Sequence, residues 1–351
     1  MGAEHKYDTK IVSYFCEDNL TEMFAEAARL LNNGELVAFP TETVYGLGAN
    51  AYDADACAKI YQAKGRPSDN PLIVHIADEA QADELAKVSD LARQLMAEFW
   101  PGPLTLVLPA KPVLPSVATG GLNTVGLRMP AHPAALDLLR AAKVPVAAPS
   151  ANLSGRPSPT AAYHVYEDMQ GKIPLIIDGG EAAAGLESTV LDLASPVPAI
   201  LRPGVITSAD LAEFIPGLAE ETRLPEGGIA RAPGMKYRHY APRAKVILCP
   251  PEAIYDTYVA AWQRFVDEGN LQPKIAVLAS MQGMRGLAQA EHCFLLGDDL
   301  EQVAQNLFAA LRWTDEINAD LVLAEVFPEH GLGLAVMNRL KKAAGAANDK
   351  L

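Results

Sequence analysis

The sequence has few cysteines and no spacing that would pair them. Only four of the 351 residues are cysteine, at positions 16, 57, 249 and 293. No two of them form a C-x-x-C pair, and all four lie far apart in the sequence. This pattern argues against a disulfide framework and against a zinc site, so we expect no protein-held metal. It favours a reduced protein of the cytoplasm.

Long apolar runs are also missing. No run approaches the roughly 20 residues that a membrane-spanning helix needs. The first ten residues, MGAEHKYDTK, lack the apolar stretch of a secretory signal, and Lys6 stands where myristoylation requires Ser or Thr. We therefore expect a cytoplasmic protein with no membrane attachment.

Positive charge is scarce. Lys and Arg total 29 against 43 Asp and Glu, which gives a formal net charge of −14. Such a surface repels a polyanion unless its cations are gathered in one place. We therefore expect no stable nucleic-acid binding, although a focused site for a small anion remains compatible with this charge.

Several well-known catalytic motifs are absent. The sequence has no G-x-x-x-x-G-K-[ST], no H-E-x-x-H and no G-x-S-x-G, which argues against a Walker-type phosphate loop, a zinc hydrolase and a serine hydrolase. GLGANA at 46–51 comes close to a dinucleotide-binding G-x-G-x-x-A. However, TETVY separates it from the preceding strand, so we predict a plain turn there.

Alternating helix and strand patterns fill most of the chain. Over about 200 residues, apolar runs such as PLIVHI and LTLVLP predict strands, and LTEMFAEAARLLNNG predicts a helix with a glycine stop. This alternation predicts an α/β fold with a mixed sheet. The same alternation returns near the C-terminus and predicts a smaller, doubly wound, Rossmann-like α/β domain.

A stretch rich in Pro and Gly separates the two patterns. We predict a catalytic domain at 1–224, a flexible linker at 225–243 and a C-terminal domain at 244–351. After Glu226 the linker has no acidic residue. Its cations and one histidine are Arg231, Lys236, Arg238, His239 and Arg243. The linker is therefore either a plain tether or a segment that covers an anionic ligand.

Polar side chains stand at the predicted ends of several strands, where open α/β sheets bind ligands. The candidates are Thr41, Glu42, Thr43, Lys64, Arg66, Arg128, Ser150, Asn152, Ser154, Ser188 and Arg202. Several also have a structural explanation. Thr41 could cap a helix, Ser150 and Asn152 could be helix caps or turn formers, and Ser188 could be structural as well. His75 could be a hydrogen-bonded core histidine, and Arg128 or Arg202 could be held in an internal ion pair.

The combination favours a binding site over these separate explanations. Lys64, Arg66, Arg128 and Arg202 are four cations beside strands of an acidic domain. Guanidinium groups grip phosphate or carboxylate with two bonds, and lysine acts as a point charge. Together with the neighbouring hydroxyl and amide groups, they point to a site that binds a polyphosphate and a carboxylate without a Walker loop.

The same segments closely resemble the threonylcarbamoyl-AMP synthase family with its YrdC-type domain. The family signatures K-x-R and S-x-N occur as Lys64-Gly65-Arg66 and Ser150-Ala151-Asn152. PTETVYGLGA, WPGPLTLVL, VGLRMP and ESTVLDL also resemble the family pattern, and the likeness covers about residues 15–215. The linker and second domain resemble the long, two-domain form. The resemblance implies a YrdC-like twisted sheet whose K-x-R pair meets nucleotide phosphates.

The resemblance also implies an activity. The family joins L-threonine, bicarbonate and ATP into threonylcarbamoyl-AMP and pyrophosphate, and Mg²⁺ accompanies the ATP phosphates. The product then passes to other proteins that transfer the threonylcarbamoyl group to tRNA beside the anticodon.

Roles for individual residues follow from the same likeness. The expected threonine-binding residues are Thr41, His75, Arg128, Ala148 (through its backbone) and Ser188. The expected ATP-binding residues are Arg66, Asn70, Thr124, Ser150, Asn152, Ser158, Arg202 and Tyr240. Lys64 and Arg66 are the expected catalytic pair, and the general base stays open.

One part of the linker has a more specific expectation, and two other functions stay possible. We predict that 231–242 forms a lid over the ATP site. An RNA-binding module and a nucleotide-sensing regulator without turnover are the alternatives to a synthase. The sequence does not identify the oligomeric state or the ligand of the C-terminal domain.

Overall fold

The computed structural model describes residues 6–16, 19–67, 70–220 and 240–345. The chain divides into two compact units. Unit 1 comprises Met1–Ser154 and Ser158–Tyr237, and unit 2 comprises Gly155–Pro157 and Arg238–Leu351. Most of the predicted linker, including residues 231–239 of the predicted lid, lies outside the described residues.

Unit 1 contains one large mixed sheet. Its strands are β1 (Lys10–Ser13), β2 (Val37–Phe39), β3 (Gly46–Asn50), β4 (Ile73–His75), β5 (Leu104–Pro109), β6 (Thr124–Arg128), β7 (Val146–Ala148), β8 (Leu175–Asp178), β9 (Thr189–Asp192), β10 (Ala199–Arg202) and β11 (Ala219–Glu220). They lie in the order β1-β8-β2-β3-β7-β4-β6-β5-β9-β10-β11. The β4–β6 pair is parallel and the β5–β6 pair antiparallel, so the predicted mixed sheet is confirmed.

Helices connect many of these strands. They are α1 (Leu20–Asn32), α2 (Ala54–Lys64), α3 (Ala80–Leu85), α4 (Asp90–Phe99), α5 (Ser116–Thr119), α6 (Pro133–Ala142), α7 (Ala162–Met169) and α8 (Ser208–Leu211). Helix α2 begins where the Asp53 carboxylate accepts hydrogen bonds from two backbone N–H groups. It ends at Gly65, whose φ of 61° lies in the left-handed region that glycine adopts without strain. This stop positions the K-x-R pair at the end of the helix.

The two faces of the sheet are covered differently. One apolar cluster includes Val74, Leu106 and Leu127 and lies against one face. A second cluster includes Val146 and Ala148 of β7 together with apolar residues of α1 and α6, and it covers part of the other face. On β4, β6, β5 and β9 this second face carries polar side chains as well as apolar ones. The candidate site lies on the part of that face that carries these polar side chains, which are almost fully buried.

The GLGAN segment corrects one prediction from the sequence. We predicted a plain turn, but these residues form strand β3, which pairs with β2 and β7. A Cβ on Gly48 would lie 2.8 Å from Val146 Cγ1 and 3.0 Å from Phe39 Cε1. The glycines therefore occur because the second apolar cluster packs against the backbone here, not because the chain turns.

Unit 2 is a smaller α/β domain. Its strands are β12 (Lys245–Cys249), β13 (Ile275–Ala279), β14 (Cys293–Leu295) and β15 (Leu321–Glu325), and its helices are α9 (Ile254–Asp267), α10 (Leu300–Glu316) and α11 (Leu332–Ala344). The order is β12-β15-β13-β14 and every pair is parallel. The separate parallel C-terminal domain is thus confirmed. Within the described ranges of both units, no helix has the length and apolar character needed to cross a membrane.

Candidate active site

Strands β4 and β6 place two predicted threonine-binding residues side by side. His75 lies opposite Arg128 in the parallel register, and Val74 lies opposite Leu127. Side chains alternate between the two faces of a strand. Because Val74 and Leu127 belong to the apolar cluster on one face, His75 and Arg128 lie together on the other.

Strands β5, β9 and β10 continue this face. Thr105 Oγ1 lies 2.8 Å from Ser188 Oγ, just before β9. A register irregularity near the end of β10 places Arg202 opposite Val190, and such bulges redirect side chains. Arg202 Nη2 donates to Ser188 Oγ, and Arg202 Nε donates to the Ser188 carbonyl, each at 3.0 Å. Two predicted ligand-binding residues, Ser188 and Arg202, are therefore in direct contact.

The loop after β2 brings in Glu42, a strand-end polar residue for which the sequence predicted no individual role. Glu42 Oε1 accepts a hydrogen bond from Arg128 Nη2 at 2.6 Å, and Thr43 Oγ1 accepts one from Arg128 Nη1 at 2.9 Å. Arg128 is 4% exposed and the Glu42 side chain 16% exposed. The ion pair that the sequence left open for Arg128 is therefore present. Its partner was not identified because 86 residues separate the two.

Thr41 serves the loop itself. Its hydroxyl donates to the Val44 carbonyl at 2.6 Å and accepts from the backbone N–H groups of Thr43 and Val44 at 3.2 Å. These bonds form a local turn between β2 and β3, not the helix cap that was the structural alternative for this residue. They fix the backbone on both sides of Glu42, and a contact of Thr41 with threonine stays a prediction.

The K-x-R and S-x-N signatures meet through Lys64. Lys64 Nζ donates to the carbonyls of Ser150 and Asn152, the latter at 2.6 Å, and lies 3.4 Å from Asn152 Oδ1. Lys64 is 3% exposed. A lysine ammonium has three N–H donors, so these acceptors match its capacity. Lys64 therefore holds the Ser150–Asn152 turn in place, while a direct contact with phosphate stays a prediction.

Arg66 lies just beyond α2, next to an aromatic ring. Its guanidinium carbon is 5.8 Å from the centre of the Tyr61 ring. The Tyr61 hydroxyl donates to the Asn70 carbonyl at 2.8 Å, which fixes the backbone at the far end of the turn. Tyr61 thus organises a segment in which two predicted ATP-binding residues occur.

The Asn70 side chain is buried and has no hydrogen-bond partner in the part of the chain that the structure describes. Asn70 is 0% exposed, and neither Oδ1 nor Nδ2 has a hydrogen-bond partner among the described residues. Leaving such groups unpaired costs about 1–3 kcal/mol each, so native proteins rarely tolerate it. This amide indicates a place where a polar ligand completes the structure.

His75 shows the same feature on the sheet face. It is 4% exposed, and its Nδ1 has no hydrogen bond of good geometry among the described residues, although the ring lies near the backbone of Ile73 and Val146. Burial, and next the positive charge of Arg128, lower the pKa of His75 to about 3. The ring is therefore neutral near pH 7, which suits it to hydrogen bonding and makes it a poor proton acceptor.

The remaining predicted residues occupy different environments. Ser158 Oγ donates to Glu187 Oε1 at 2.6 Å, and both residues are buried. Glu187 was not assigned to the site from the sequence, although it begins the ESTVLDL segment. Thr124 lies at the start of β6, two residues before Gly126 on the same face, and Ala148 lies opposite Ile73 in the register of β7 and β4.

Tyr240 belongs to unit 2. Its φ is +66°, and its ring packs 5.1 Å from that of Phe308, between ring centres. A contact between Tyr240 and ATP stays a prediction. In the ranges the structure describes, no group of three or more His, Cys, Asp or Glu side chains could hold a metal ion.

Both parts of the chain match known family profiles. Residues 29–204 match the profile described as "Telomere recombination" (Sua5_yciO_yrdC), and residues 206–345 match "Threonylcarbamoyl-AMP synthase, C-terminal domain". The threonylcarbamoyl-AMP synthase of Pyrococcus abyssi is 51% identical over 324 residues, which are 91% of this chain and 93% of that relative. The chain belongs to the threonylcarbamoyl-AMP synthase family. It is accordingly an enzyme of the transferase class, as the sequence predicted.

A solved structure and a shorter relative extend this comparison. The crystal structure of P. abyssi Sua5 complexed with L-threonine superposes with a TM-score of 0.88 at 48% identity, covering 96% of this chain and 97% of that one. A threonylcarbamoyl-AMP synthase of Cellvibrio japonicus is 33% identical over 168 residues, which are 48% of this chain but 89% of the relative. About half of this chain thus corresponds to nearly all of a family member.

Proposed function

We propose that the chain condenses L-threonine, bicarbonate or CO₂, and ATP into threonylcarbamoyl-AMP and pyrophosphate. The observation that carries the proposal is the pair of buried, unpartnered polar groups, the Asn70 amide and His75 Nδ1, in a domain of this family. Among the described residues each lacks a well-formed hydrogen bond, and each belongs to one of the two predicted substrate subsites. Family membership supplies the reaction class, and these groups supply the local support for it.

The threonine subsite is assigned to the sheet face around Arg128. Among the described residues, three of the five guanidinium N–H groups donate hydrogen bonds, to the Gly102 carbonyl, to Thr43 Oγ1 and to Glu42 Oε1. Two donors remain for a substrate carboxylate. The neighbouring neutral His75 can hydrogen-bond a hydroxyl or amine without adding charge. An arginine beside a neutral hydrogen-bonding group matches a small hydroxy amino acid.

The ATP subsite is assigned to the turn formed by the two signatures. Lys64 fixes Ser150 and Asn152, and Arg66 and Asn70 follow directly in the same connection. Guanidinium and amide groups bind phosphate and base edges through directed hydrogen bonds. We place Thr124, Ser158 and Arg202 in this subsite as well, on the family likeness alone. A contact between Tyr240 and ATP stays a prediction.

Mg²⁺ would arrive with the nucleotide rather than occupy a protein cage. Phosphate oxygens and waters supply its preferred ligands, and the described residues hold no cluster of acidic or imidazole ligands for it. When bound, the ion would neutralise part of the negative charge of the phosphates. The side chains of this protein orient the two substrates around it.

Two bonds form in the proposed reaction. The threonine ammonium group first loses a proton to solvent. The neutral amine then attacks the carbon of CO₂, a second proton passes to solvent, and a carbamate results. A carbamate oxygen then attacks the α-phosphorus, and the bond from that phosphorus to the β-phosphate oxygen breaks. Both steps gather anions, so positioning and charge neutralisation by Arg66 and Arg128 carry the catalysis.

The cellular setting is also a proposal. The free cysteines comprise buried Cys57 and Cys249, exposed Cys16 and half-buried Cys293, a set that suits the reducing cytoplasm. There the product would supply proteins that transfer the threonylcarbamoyl group to tRNA. The transfer itself is assigned to those partners, because the net charge of −14 disfavours broad contact with RNA.

Pyrophosphate release tests the proposal against its alternatives. Release should require ATP, L-threonine and bicarbonate together, and omission of any one should reduce it to the background rate. An RNA-binding module would release none under any condition. A nucleotide sensor would bind ATP without release, and either result would contradict the proposed synthase.

A further inference from the structure

Glu42 lies in the proposed threonine subsite, where its carboxylate pairs with Arg128. We propose that its carboxylate recognises the α-ammonium group of the amino-acid substrate, next to the Arg128 that receives the substrate carboxylate. The inference rests on the proposed function and names the residue that selects an amino acid over a simple carboxylic acid at the same site.

The first support is the hydrogen-bond capacity that Glu42 leaves unused. An ionised carboxylate offers about four lone-pair positions. Glu42 Oε1 accepts from Arg128 Nη2 at 2.6 Å, and Oε2 accepts from the Ala131 N–H at 3.1 Å. No further partner exists among the described residues. Each oxygen can therefore accept another donor, and an ammonium group provides three.

The second support is the asymmetry of the ion pair. The Arg128 side chain is 4% exposed, whereas the Glu42 side chain is 16% exposed. The carboxylate therefore lies at the more open end of the pair, where an arriving molecule can reach it. Its loop is fixed by the Thr41 hydrogen bonds and by the bond from the Ala184 N–H to the Glu42 carbonyl.

The third support is the unpartnered nitrogen of His75. His75 is buried opposite Arg128 in the strand register, and within the described ranges its Nδ1 makes no hydrogen bond of good geometry. This independent observation indicates that a ligand completes the region around Arg128. Glu42 is the one carboxylate that contacts Arg128 among the described residues.

Electrostatics favour a zwitterion at such a pair. A free amino acid carries a carboxylate and an ammonium group joined through a single carbon, so each charge can meet its opposite when both protein charges are adjacent. A simple anion meets an arginine that Glu42 has already partly neutralised, and it is repelled by that carboxylate. The pair therefore discriminates against carboxylic acids that lack the amine.

Direct binding of two ligands tests the inference. The probes are L-threonine and (R)-3-hydroxybutyrate, which keeps the carboxylate and the hydroxyl but lacks the amine. On the wild-type full chain, threonine should bind at least about tenfold more tightly. Glu42→Gln should weaken threonine binding by at least about tenfold and leave 3-hydroxybutyrate binding unchanged or stronger.

Controls separate this role from a purely structural one. Glu35→Gln, which alters a half-buried ion pair with Lys59, should change neither affinity. If Glu42→Gln weakens the binding of both ligands equally, the inference is overturned. Glu42 would then only hold Arg128 in position. If that variant does not fold, equal wild-type affinity for the two ligands would overturn it as well. Failure of the wild-type chain to bind threonine at all would instead contradict the proposed function.

Discussion

Arg128 shows how one buried charge can serve the fold and the site together. It contacts Glu42 and Thr43 from the loop after β2 and the Gly102 carbonyl from a third segment. Burying an unpaired guanidinium would cost several kcal/mol, so these contacts are needed even without a ligand. The two remaining N–H donors of this side chain can bind the substrate carboxylate.

Replacement of Arg128 by Lys should weaken threonine binding by about tenfold or more while ATP affinity changes little. Lysine keeps the charge but loses the planar pair of donors. Isothermal titration with each substrate measures both effects, and Arg140→Lys on the exposed face of α6 is the matched control. A loss of ATP affinity with unchanged threonine affinity would contradict the assignment.

Replacement of Arg66 by Ala should lower the rate of synthesis on the order of a hundredfold, because a contact that tightens in the transition state is worth about 3 kcal/mol. The thermal unfolding temperature should stay close to that of the wild type. Arg93→Ala, which removes an exposed arginine paired with Asp83, should leave the rate unchanged. Near-normal turnover of Arg66→Ala would refute the phosphate-binding role.

His75 should make unfolding depend on pH. Its pKa falls from 6.5 to about 3 on folding, mainly through burial and also through the charge of Arg128. Between these values the unfolded state binds the extra proton, so stability is complete above about pH 6.5 and decreases as the pH falls. The loss should reach about 2 kcal/mol near pH 5.

Urea unfolding of the wild type and of His75→Gln, at about pH 5 and about pH 7.5, measures this contribution. The variant should lose less stability than the wild type at the lower pH. His132, whose pKa is also lowered by burial, contributes equally to both proteins. Identical pH dependence in the two would show that His75 does not titrate in this way.

Individual strands explain why part of the fold follows from the sequence. LTLVLP and VGLRM show apolar residues on one face, and β5 and β6 occur close to where these patterns predict them. The α6 prediction at PAALDLLRAA agrees with Pro133–Ala142. Strand β3 was missed because its two glycines resemble a turn locally, while their cause is packing against residues about 10 and 100 positions away.

Gly48 gives this explanation a test. Gly48→Ala should destabilise unit 1 by about 1–3 kcal/mol, since the new methyl group overlaps Val146 and Phe39 in a packed region. Gly126→Ala is the control because its Cβ would lie no closer than 3.3 Å, to a Thr105 methyl group. Denaturant unfolding should show the larger loss for Gly48→Ala. Equal stabilities of the two variants would contradict the packing explanation.

The site was only partly predictable at the level of strands and loops. Residues of one short motif, such as Lys64 and Arg66, could be proposed because their types and spacing are visible together. The Glu42–Arg128 and Ser158–Glu187 contacts join segments 86 and 29 residues apart, and no local pattern reveals them. The Asn70 amide has no hydrogen-bond partner among the described residues. This feature could not be predicted, because the sequence does not show which side chains are buried.

The described chain contains two sheets, one in each unit. The alternation of helix and strand predicted both α/β units. The family profiles cover 29–204 and 206–345, so the second profile begins inside unit 1. The predicted domain limits at 224 and 244 stay predictions, as does the lid at 231–242, because most of that segment lies outside the described residues. The chemistry assigned to the molecule depends on unit 1.

Isotope labelling of the product tests the proposed synthase most directly. The full chain is incubated with ATP, ¹³C-bicarbonate and either unlabelled or ¹⁵N-labelled L-threonine. The mass of the AMP-containing product is then measured by mass spectrometry. The account predicts one product that carries both the threonine nitrogen and the bicarbonate carbon, linked to AMP. An AMP adduct of threonine without the bicarbonate carbon, or no AMP adduct at all, would contradict it.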